Sequence, residues 1–235
     1  MKKACSVIII IIAALVSCNP AAVKKDIDQE KPHIAVTLTF NTDMYKSIML
    51  KKVYPTYAIW AVDTKTGATA TIYVTGKAAK GAWMMADERP SSLPVWFGVR
   101  RKEKAIPEKH AVDVVTSATP SGNTAIHSWQ IPERMIGKKL DIYLEGNISF
   151  DYNEFYTKSA KKGEPGYSDV NGQPSVIWLA TIEAGVKRIE KSPVIAGHGH
   201  MRGDNADIDT DMSKITTAGE IFQYVGIVYE PGSVK

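Results

Sequence analysis

The residues best suited to hold a metal ion lie together near the carboxyl terminus, where His198 and His200 flank Gly199. In an extended segment, side chains two positions apart point to the same face, so both imidazoles can reach one ion. Zn, Cu and Fe all accept imidazole nitrogen, and Asp204 follows closely enough to add a carboxylate. The spacing therefore predicts a divalent metal site formed by His198, His200 and Asp204.

The same segment also has a purely structural interpretation. Its glycines would form an irregular loop with solvated aspartates, and Asp211 or Ser213 would cap a short helix over residues 214–220. A calcium-binding EF-hand loop that begins at Asp207 is excluded, because Met212 stands where the motif requires glycine. The metal site and the plain loop remain alternatives at the level of sequence.

A hydroxyl-bearing segment, residues 113–119 with the sequence DVVTSAT, offers a different chemistry. It resembles the sequence that extracytoplasmic flavin transferases recognise, in which an Asp precedes a small residue, Ala and Thr at fixed spacing. The resemblance implies covalent FMN, esterified through its phosphate to Thr119, with Asp113 taking part in recognition. Such a transfer needs an accessible hydroxyl, because the phosphoryl centre must be approached in line. It also needs a nearby acid to orient the acceptor or a metal. The alternative is a turn in which Ser, Thr and Asp side chains bond nearby backbone N–H groups.

The amino terminus indicates export and lipid attachment. Two lysines precede an apolar run over residues 7–16, which is too short to span a bilayer and ends in the tetrapeptide LVSC. This tetrapeptide resembles the lipobox of bacterial lipoproteins, which implies cleavage before Cys18 and lipid attachment to its thiol. We therefore expect residues 1–17 to be a signal peptide. The mature chain would be fixed to a membrane of the bacterial cell envelope and would face the periplasm or the exterior.

Lipidation of Cys18 limits the chemistry that is open to the mature chain. Cleavage removes Cys5, the only other cysteine, so no internal disulfide, thiolate zinc site, haem attachment or iron–sulfur cluster can form. It also removes Lys2 and Lys3, which leaves 27 of the 29 basic residues against 25 acidic ones. This near-neutral charge, with the basic residues scattered, argues against a nucleic-acid partner. Because Asn19 is not the Asp that retains many lipoproteins at an inner membrane, we expect an outer membrane location where the host has one.

The rest of the chain predicts an all-β fold. Residues 18–31 are short of large apolar side chains and are expected to form a flexible tether, and the folded domain is expected to span residues 32–235. Short β-like runs separated by turn residues are predicted at residues 33–40, 57–62, 69–75, 95–100, 125–130, 140–149, 176–183 and 221–229. Gly67 supplies the positive φ of a hairpin connection between two of them. Many strands and one short helix near the carboxyl terminus indicate an immunoglobulin-like antiparallel β-sandwich.

Several short blocks resemble one bacterial family of predicted periplasmic proteins, which is known only as a domain of unknown function. The blocks lie at residues 55–60, 69–74, 89–96 (RPSSLPVW), 113–122 and 139–152. Members of that family are described as similar to the immunoglobulin-like part of flagellar hook-cap proteins, so the resemblance implies the same sandwich fold. The chain departs from the family at residues 129–132, where WQIP replaces a Trp-Asp-Gly turn, and that connection must be built differently.

Recognisable motifs for enzymatic catalysis do not occur. The sequence has no nucleophile elbow, no phosphate-binding glycine loop and no triad spacing, and His33, His110 and His127 are isolated. The five tryptophans sit in or beside β-like runs, and at least three are expected in the core. Two hypotheses remain. The favoured one is a non-enzymatic binding or interaction module of the cell envelope, with envelope proteins as partners. The other is an electron-transfer accessory that carries FMN on Thr119 and is loaded by a flavin transferase.

Overall fold

Strand β1 (His33–Phe40) illustrates how the sequence pattern produces a half-buried strand. Its apolar residues Ile34, Val36, Leu38 and Phe40 are almost completely buried, whereas the small residues between them are only partly covered. Alternation of this kind places one face of a strand on the core. The computed structural model of the chain describes residues 27–48, 50–80, 89–104, 115–117 and 122–233.

Twelve strands occur in the described residues, in two large sheets and one small hairpin. In spatial order, the four-stranded sheet consists of β10 (Ile189–Lys191), β12 (Phe222–Glu230), β1 and β7 (Thr124–Gln130). The six-stranded sheet consists of β11 (Val194–His198), β9 (Val176–Glu183), β8 (Lys139–Asn147), β4 (Thr56–Asp63), β5 (Thr69–Thr75) and β6 (Val115–Ser117). The hairpin consists of β2 (Lys46–Ile48) and β3 (Lys51–Val53). These strand pairs are antiparallel, except that β5 and β6 are parallel.

The apolar faces of the two large sheets pack against each other. Phe40, Tyr57 and Phe222 come from three strands of the two sheets, and their ring centroids lie between 5.5 and 5.9 Å apart. Trp178 packs edge-on against Phe222 with a centroid distance of 5.1 Å. Aromatic pairs at such distances contribute about 0.5–1.5 kcal/mol each beyond the burial of their surface. The predicted all-β, immunoglobulin-like antiparallel β-sandwich is confirmed.

The tryptophans supply much of the buried aromatic surface. Trp60, Trp96 and Trp178 are almost completely buried, and Trp129 is partly buried against the main core. The expectation of at least three core tryptophans is confirmed. Trp83 lies outside the described residues.

The outer face of the six-stranded sheet is covered by two helices, α1 (Gly76–Lys80) and α2 (Pro94–Lys104). A second hydrophobic cluster forms there from Trp60, Val74 and Ile177 of the sheet and from Leu93, Trp96 and Phe97 of the segment containing α2. The central strand β4 is therefore buried on both faces.

Helix α2 corrects the prediction of a strand at residues 95–100. The run Val95-Trp96-Phe97 has high β propensity, but tertiary context often overrides propensity, and here the run packs on a sheet face instead of adding to its edge. Pro94 is the sequence feature that indicates a helix here, because proline is favoured at the first position of a helix.

The carboxyl-terminal helix predicted at residues 214–220 is replaced by two 3₁₀ turns, Met212–Lys214 and Thr217–Glu220. Asp211 caps the first turn, as the structural interpretation expected, and accepts a hydrogen bond from the backbone N–H of Ser213 at 3.0 Å. The predicted hairpin connection between β4 and β5 is also present, with Gly67 at a φ of +70°.

The end of the predicted tether contacts the folded domain. The backbone N–H of Asp28 donates to Gln130 at 3.1 Å, and the carbonyl of Glu30 accepts from Ser233 at 3.1 Å. Cys18, with the predicted signal peptide and most of the tether, lies outside the described residues. Among the helices that are described, none is long and apolar enough to cross a membrane.

Candidate functional site

An open cleft lies where β11 ends at His198. Its volume is about 570 Å³, which falls in the range of small-molecule sites. The cleft is lined by the turn after β11, by the acidic segment that follows, and by part of the loop after β8. The polar side chains that face it include His198, His200, Asn205, Asp207, Asp209, Asp211, Lys214 and Tyr156. The structure therefore brings both histidines of the sequence prediction to one concave surface.

A two-residue bridge fixes one wall of the cleft. The backbone N–H of His198 donates to the carbonyl of Asp209 at 2.8 Å, and the N–H of Asp209 donates to the carbonyl of His198 at 2.9 Å. Residues that exchange both hydrogen bonds in an antiparallel pair project their side chains to the same face. This explains why Nε2 of His198 lies 3.9 Å from Oδ2 of Asp209.

The hydrogen bonds of His198 assign its tautomer. Nδ1 lies 2.9 Å from the carbonyl oxygen of Gly199, which can only accept, so Nδ1 carries the hydrogen. Nε2 of the neutral ring then carries a lone pair. His198 is only 8% exposed and lines the cleft, and its Nε2 faces the carboxylate of Asp209.

His200 has the opposite tautomer. Its Nδ1 accepts hydrogen bonds from the backbone N–H groups of Arg202 at 3.4 Å and Asp204 at 3.2 Å, so the hydrogen of the neutral ring is on Nε2. Asp204 is not among the residues that line the cleft, and its carboxylate is paired with the guanidinium of Arg202 at 2.7 Å. Within the described ranges, no group of three or more His, Cys, Asp or Glu side chains is arranged to hold a metal ion. The site predicted from His198, His200 and Asp204 stays a prediction.

Aromatic and charged side chains share the opposite wall of the cleft. The ammonium of Lys214 lies 4.2 Å from the ring centroid of Phe155, and Tyr156 packs edge-on against the same ring. Burial raises the pKa of Tyr156, and the charges of Asp209 and Asp211 add to the rise. The pKa of Asp211 is lowered because its carboxylate accepts hydrogen bonds from Ser213. The cleft therefore combines fixed anions with an aromatic surface.

A buried carboxylate lies beneath the cleft. Glu145 on β8 is 0% exposed and accepts hydrogen bonds from the backbone N–H groups of Val95 at 3.3 Å and Trp96 at 2.8 Å, and from the hydroxyl of Ser175 at 2.7 Å. It thereby caps the first turn of α2 from a distant strand. Burial raises the pKa of Glu145 to about 7, and the three hydrogen bonds oppose that rise.

Glycine at position 199 is required by the close approach of Pro94 and Ser175, with the carboxylate of Glu145 slightly further away. A Cβ atom there would lie 2.4 Å from the ring of Pro94, 2.7 Å from the hydroxyl of Ser175 and 3.2 Å from Oε1 of Glu145. The turn between the two histidines thus rests directly on the Glu145 cap. Sequence reasoning missed Glu145, although a carboxylate directly after Leu144 in a predicted strand was a visible signal.

The isolated histidine His127 lies away from the cleft, between the two sheets. Its Nε2 is 2.9 Å from the hydroxyl of Tyr57, and its ring stacks on Tyr73 with a centroid distance of 3.7 Å. Burial lowers the pKa of His127 to about 4, so the ring is neutral at physiological pH and accepts the phenolic hydrogen. This arrangement fits the expected structural role of a strand histidine.

Residues 115–117 of the flavin motif form β6, at the opposite edge of the six-stranded sheet from β11. Strand β6 ends at Ser117 and β7 begins at Thr124, and these two strands are the terminal strands of different sheets. Asp113 and Thr119 lie outside the described residues, as does His110.

Comparison with known proteins adds no relative to these observations. No family model, curated protein or solved structure matches the chain. The resemblance to the periplasmic family and the lipobox at Cys18 therefore stay predictions from the sequence.

Proposed function

We propose that the chain is a non-enzymatic binding module of the bacterial cell envelope, attached to a membrane through lipid on Cys18, whose ligand site is the cleft beside His198. The observation that carries this proposal is the cleft itself. It has a volume of about 570 Å³ and is lined by imidazole, carboxylate and aromatic groups at the end of β11. Its ligand or partner comes from the envelope, because the lipobox predicts that the mature chain works there.

Two sets of contacts hold the loop that lines this cleft. His198 at the end of β11 is bridged to Asp209, and Gly199 packs against Pro94 and Ser175 next to the Glu145 cap of α2. Binding sites held by regular elements keep their geometry without a ligand, which reduces the entropy lost on binding.

Photo-crosslinking from the cleft tests this proposal. We expect p-benzoylphenylalanine in place of Met201, which lines the cleft, to capture a partner or to add the mass of a small ligand in the native host. Val186 provides the matched control, because it is exposed and follows the far end of β9, about 25 Å from the cleft at about 3.3 Å per residue. Equal labelling from both positions, or none from Met201, would rule out the cleft as the ligand site.

A second candidate function, covalent flavinylation at Thr119, is favoured by the chain connectivity. Residues 118–123 connect the edge strand β6 of one sheet to the edge strand β7 of the other. Strand β6 ends two positions before Thr119 in the sequence, and the proposed transfer needs a hydroxyl that is open to in-line attack on a phosphoryl centre. An attached FMN would supply redox chemistry.

Co-expression with an active extracytoplasmic flavin transferase tests the second candidate. We expect the protein band to fluoresce under ultraviolet light after denaturing electrophoresis, because a phosphoester-linked flavin survives denaturation. Thr119→Ala should remove the fluorescence, and Asp113→Ala should weaken it without removing the acceptor. Ser117→Ala and Ser121→Ala are the matched controls. Fluorescence that persists in Thr119→Ala but disappears in one of these controls would place the acceptor at that serine.

A further inference from the structure

The lone pair of His198 and the carboxylate of Asp209 face each other across a short gap in the cleft. When the ring is neutral, its single hydrogen is on Nδ1, where it is donated to the carbonyl of Gly199, and Nε2 carries a lone pair. Oδ2 of Asp209 lies 3.9 Å from this nitrogen and likewise presents lone pairs. A proton on Nε2 or a metal cation between the two atoms attracts both of them, and the two compete for this position.

We infer that His198 and Asp209 together bind a divalent transition-metal ion, through Nε2 and Oδ2, within the proposed ligand cleft. Bonds of about 2.1 Å to nitrogen and to oxygen span up to about 4.2 Å, so one ion can contact both atoms at the observed separation. One imidazole and one carboxylate favour ions of intermediate softness such as Zn²⁺, Co²⁺ or Ni²⁺ over Mg²⁺.

The surroundings of His198 are those of a metal ligand that is oriented before the metal arrives. Metal-binding histidines commonly donate their second ring nitrogen to a backbone carbonyl, which fixes the tautomer and the ring orientation. Gly199 provides that carbonyl here, and the side chain of His198 lines the cleft although it is only 11% exposed. The backbone bridge between His198 and Asp209 holds the two side chains on one face.

This assignment differs from the pairing of His198 with His200 that the sequence spacing suggested. In His200 the lone pair is on Nδ1 and is already occupied by two backbone N–H groups. For Nε2 of His200 to bind a metal, the ring hydrogen would have to move to Nδ1, where it would point at those donors. Oδ2 of Asp204 also lies 3.9 Å from Nδ1 of His200, but this oxygen is paired with Arg202 at 2.7 Å. With two protein ligands, the remaining coordination positions are open to water or to the ligand of the cleft.

Zinc titration of the full-length lipidated protein in detergent micelles tests the inference. We expect saturable binding of one Zn²⁺ per chain by calorimetry and a rise in melting temperature that MgCl₂ does not reproduce, because a ligand of the native state stabilises it. Asp209→Asn should weaken zinc binding about tenfold or more, since removing a ligand costs at least as much as removing a group that orients one. The side chain of Asp209 is 62% exposed, so this variant is expected to fold.

The control variant His200→Gln with Asp204→Asn should bind zinc within about twofold of the parent, because neither side chain contributes a ligand. His198→Gln should lose binding, and circular dichroism establishes whether this buried substitution still folds. Absence of zinc binding by the parent, unchanged binding by Asp209→Asn, or loss of binding in the control variant would each overturn the inference.

The inference rests on the proposed function only in that both use the same cleft, and the two can fail separately. Cross-links from Met201 without zinc binding would leave a binding module that needs no metal. Zinc binding without cross-links would remove the proposed ligand site while leaving the metal site.

Discussion

Cys18→Ala is expected to move the protein from the membrane fraction to the soluble fraction, or to leave it as an unprocessed precursor. The reason is that the thiol of Cys18 is the only predicted attachment point for lipid. Each buried methylene contributes about 0.8 kcal/mol, so loss of the acyl chains removes nearly all of the affinity for the bilayer. Detergent phase partitioning and intact mass of the processed chain measure both outcomes.

The matched control for this variant is Cys5→Ala. Cys5 lies within the predicted signal peptide and is removed with it, so partitioning and mass of the mature chain should equal those of the parent. Unchanged partitioning of a correctly processed Cys18→Ala protein would show that lipid on Cys18 is not the anchor.

Glu145→Ala is expected to lower the free energy of unfolding by about 3 kcal/mol or more when measured at pH 5. The substitution leaves the N–H groups of Val95 and Trp96 and the hydroxyl of Ser175 buried without their acceptor, and each unpaired group costs about 1–3 kcal/mol. A cavity beneath Gly199 adds to the cost. Denaturant titration followed by tryptophan fluorescence measures the change.

The control for the size of this effect is Glu183→Ala on the neighbouring strand β9. Glu183 is exposed, so its removal should change the free energy of unfolding by no more than about 0.5 kcal/mol. If Glu145→Ala were as stable as Glu183→Ala, the carboxylate would not be what holds the first turn of α2 against the sheet.

Glu145 should also make the stability of the protein depend on pH. Its pKa rises from an ordinary value of 4.5 to about 7 on folding, so between these values the folded chain retains a proton that the unfolded chain has released. The unfolded state then binds fewer protons, and the free energy of unfolding falls as the pH rises through this window. A shift of this size corresponds to a loss on the order of 3 kcal/mol.

Glu145→Gln tests this dependence, because glutamine does not titrate. Between pH 4.5 and pH 7, the free energy of unfolding of this variant should change less than that of the parent. The difference between the two changes should equal the contribution assigned to Glu145. If the free energy of unfolding of the parent rose across this window, and Glu145→Gln showed the same change, the assignment would be contradicted.

The sequence by itself determined the strands whose pattern is local. The alternation in β1 and the turn residues before Gly67 specify which faces are buried and where the chain reverses, because side-chain direction in a strand has a period of two. Such signals need no knowledge of distant residues. The immunoglobulin-like sandwich followed from counting these runs and their turns.

The sequence also located part of the candidate site. The spacing of His198 and His200 placed two imidazoles in one region, and both line the cleft. The spacing carried no information on tautomers. These depend on the hydrogen bond that His198 donates to the carbonyl of Gly199 and on those that His200 accepts from the backbone N–H groups of Arg202 and Asp204.

Only the tertiary structure decided the features that depend on residues far apart in the chain. Helix α2 forms where propensity favoured a strand, because the outer face of the sheet buries its apolar side and Glu145, about fifty residues further along, accepts its first N–H groups. Asp209 meets His198 through a backbone bridge that no local pattern specifies. Burial, opposed by hydrogen bonds from Val95, Trp96 and Ser175, sets the pKa of Glu145, which is therefore a property of the assembled fold.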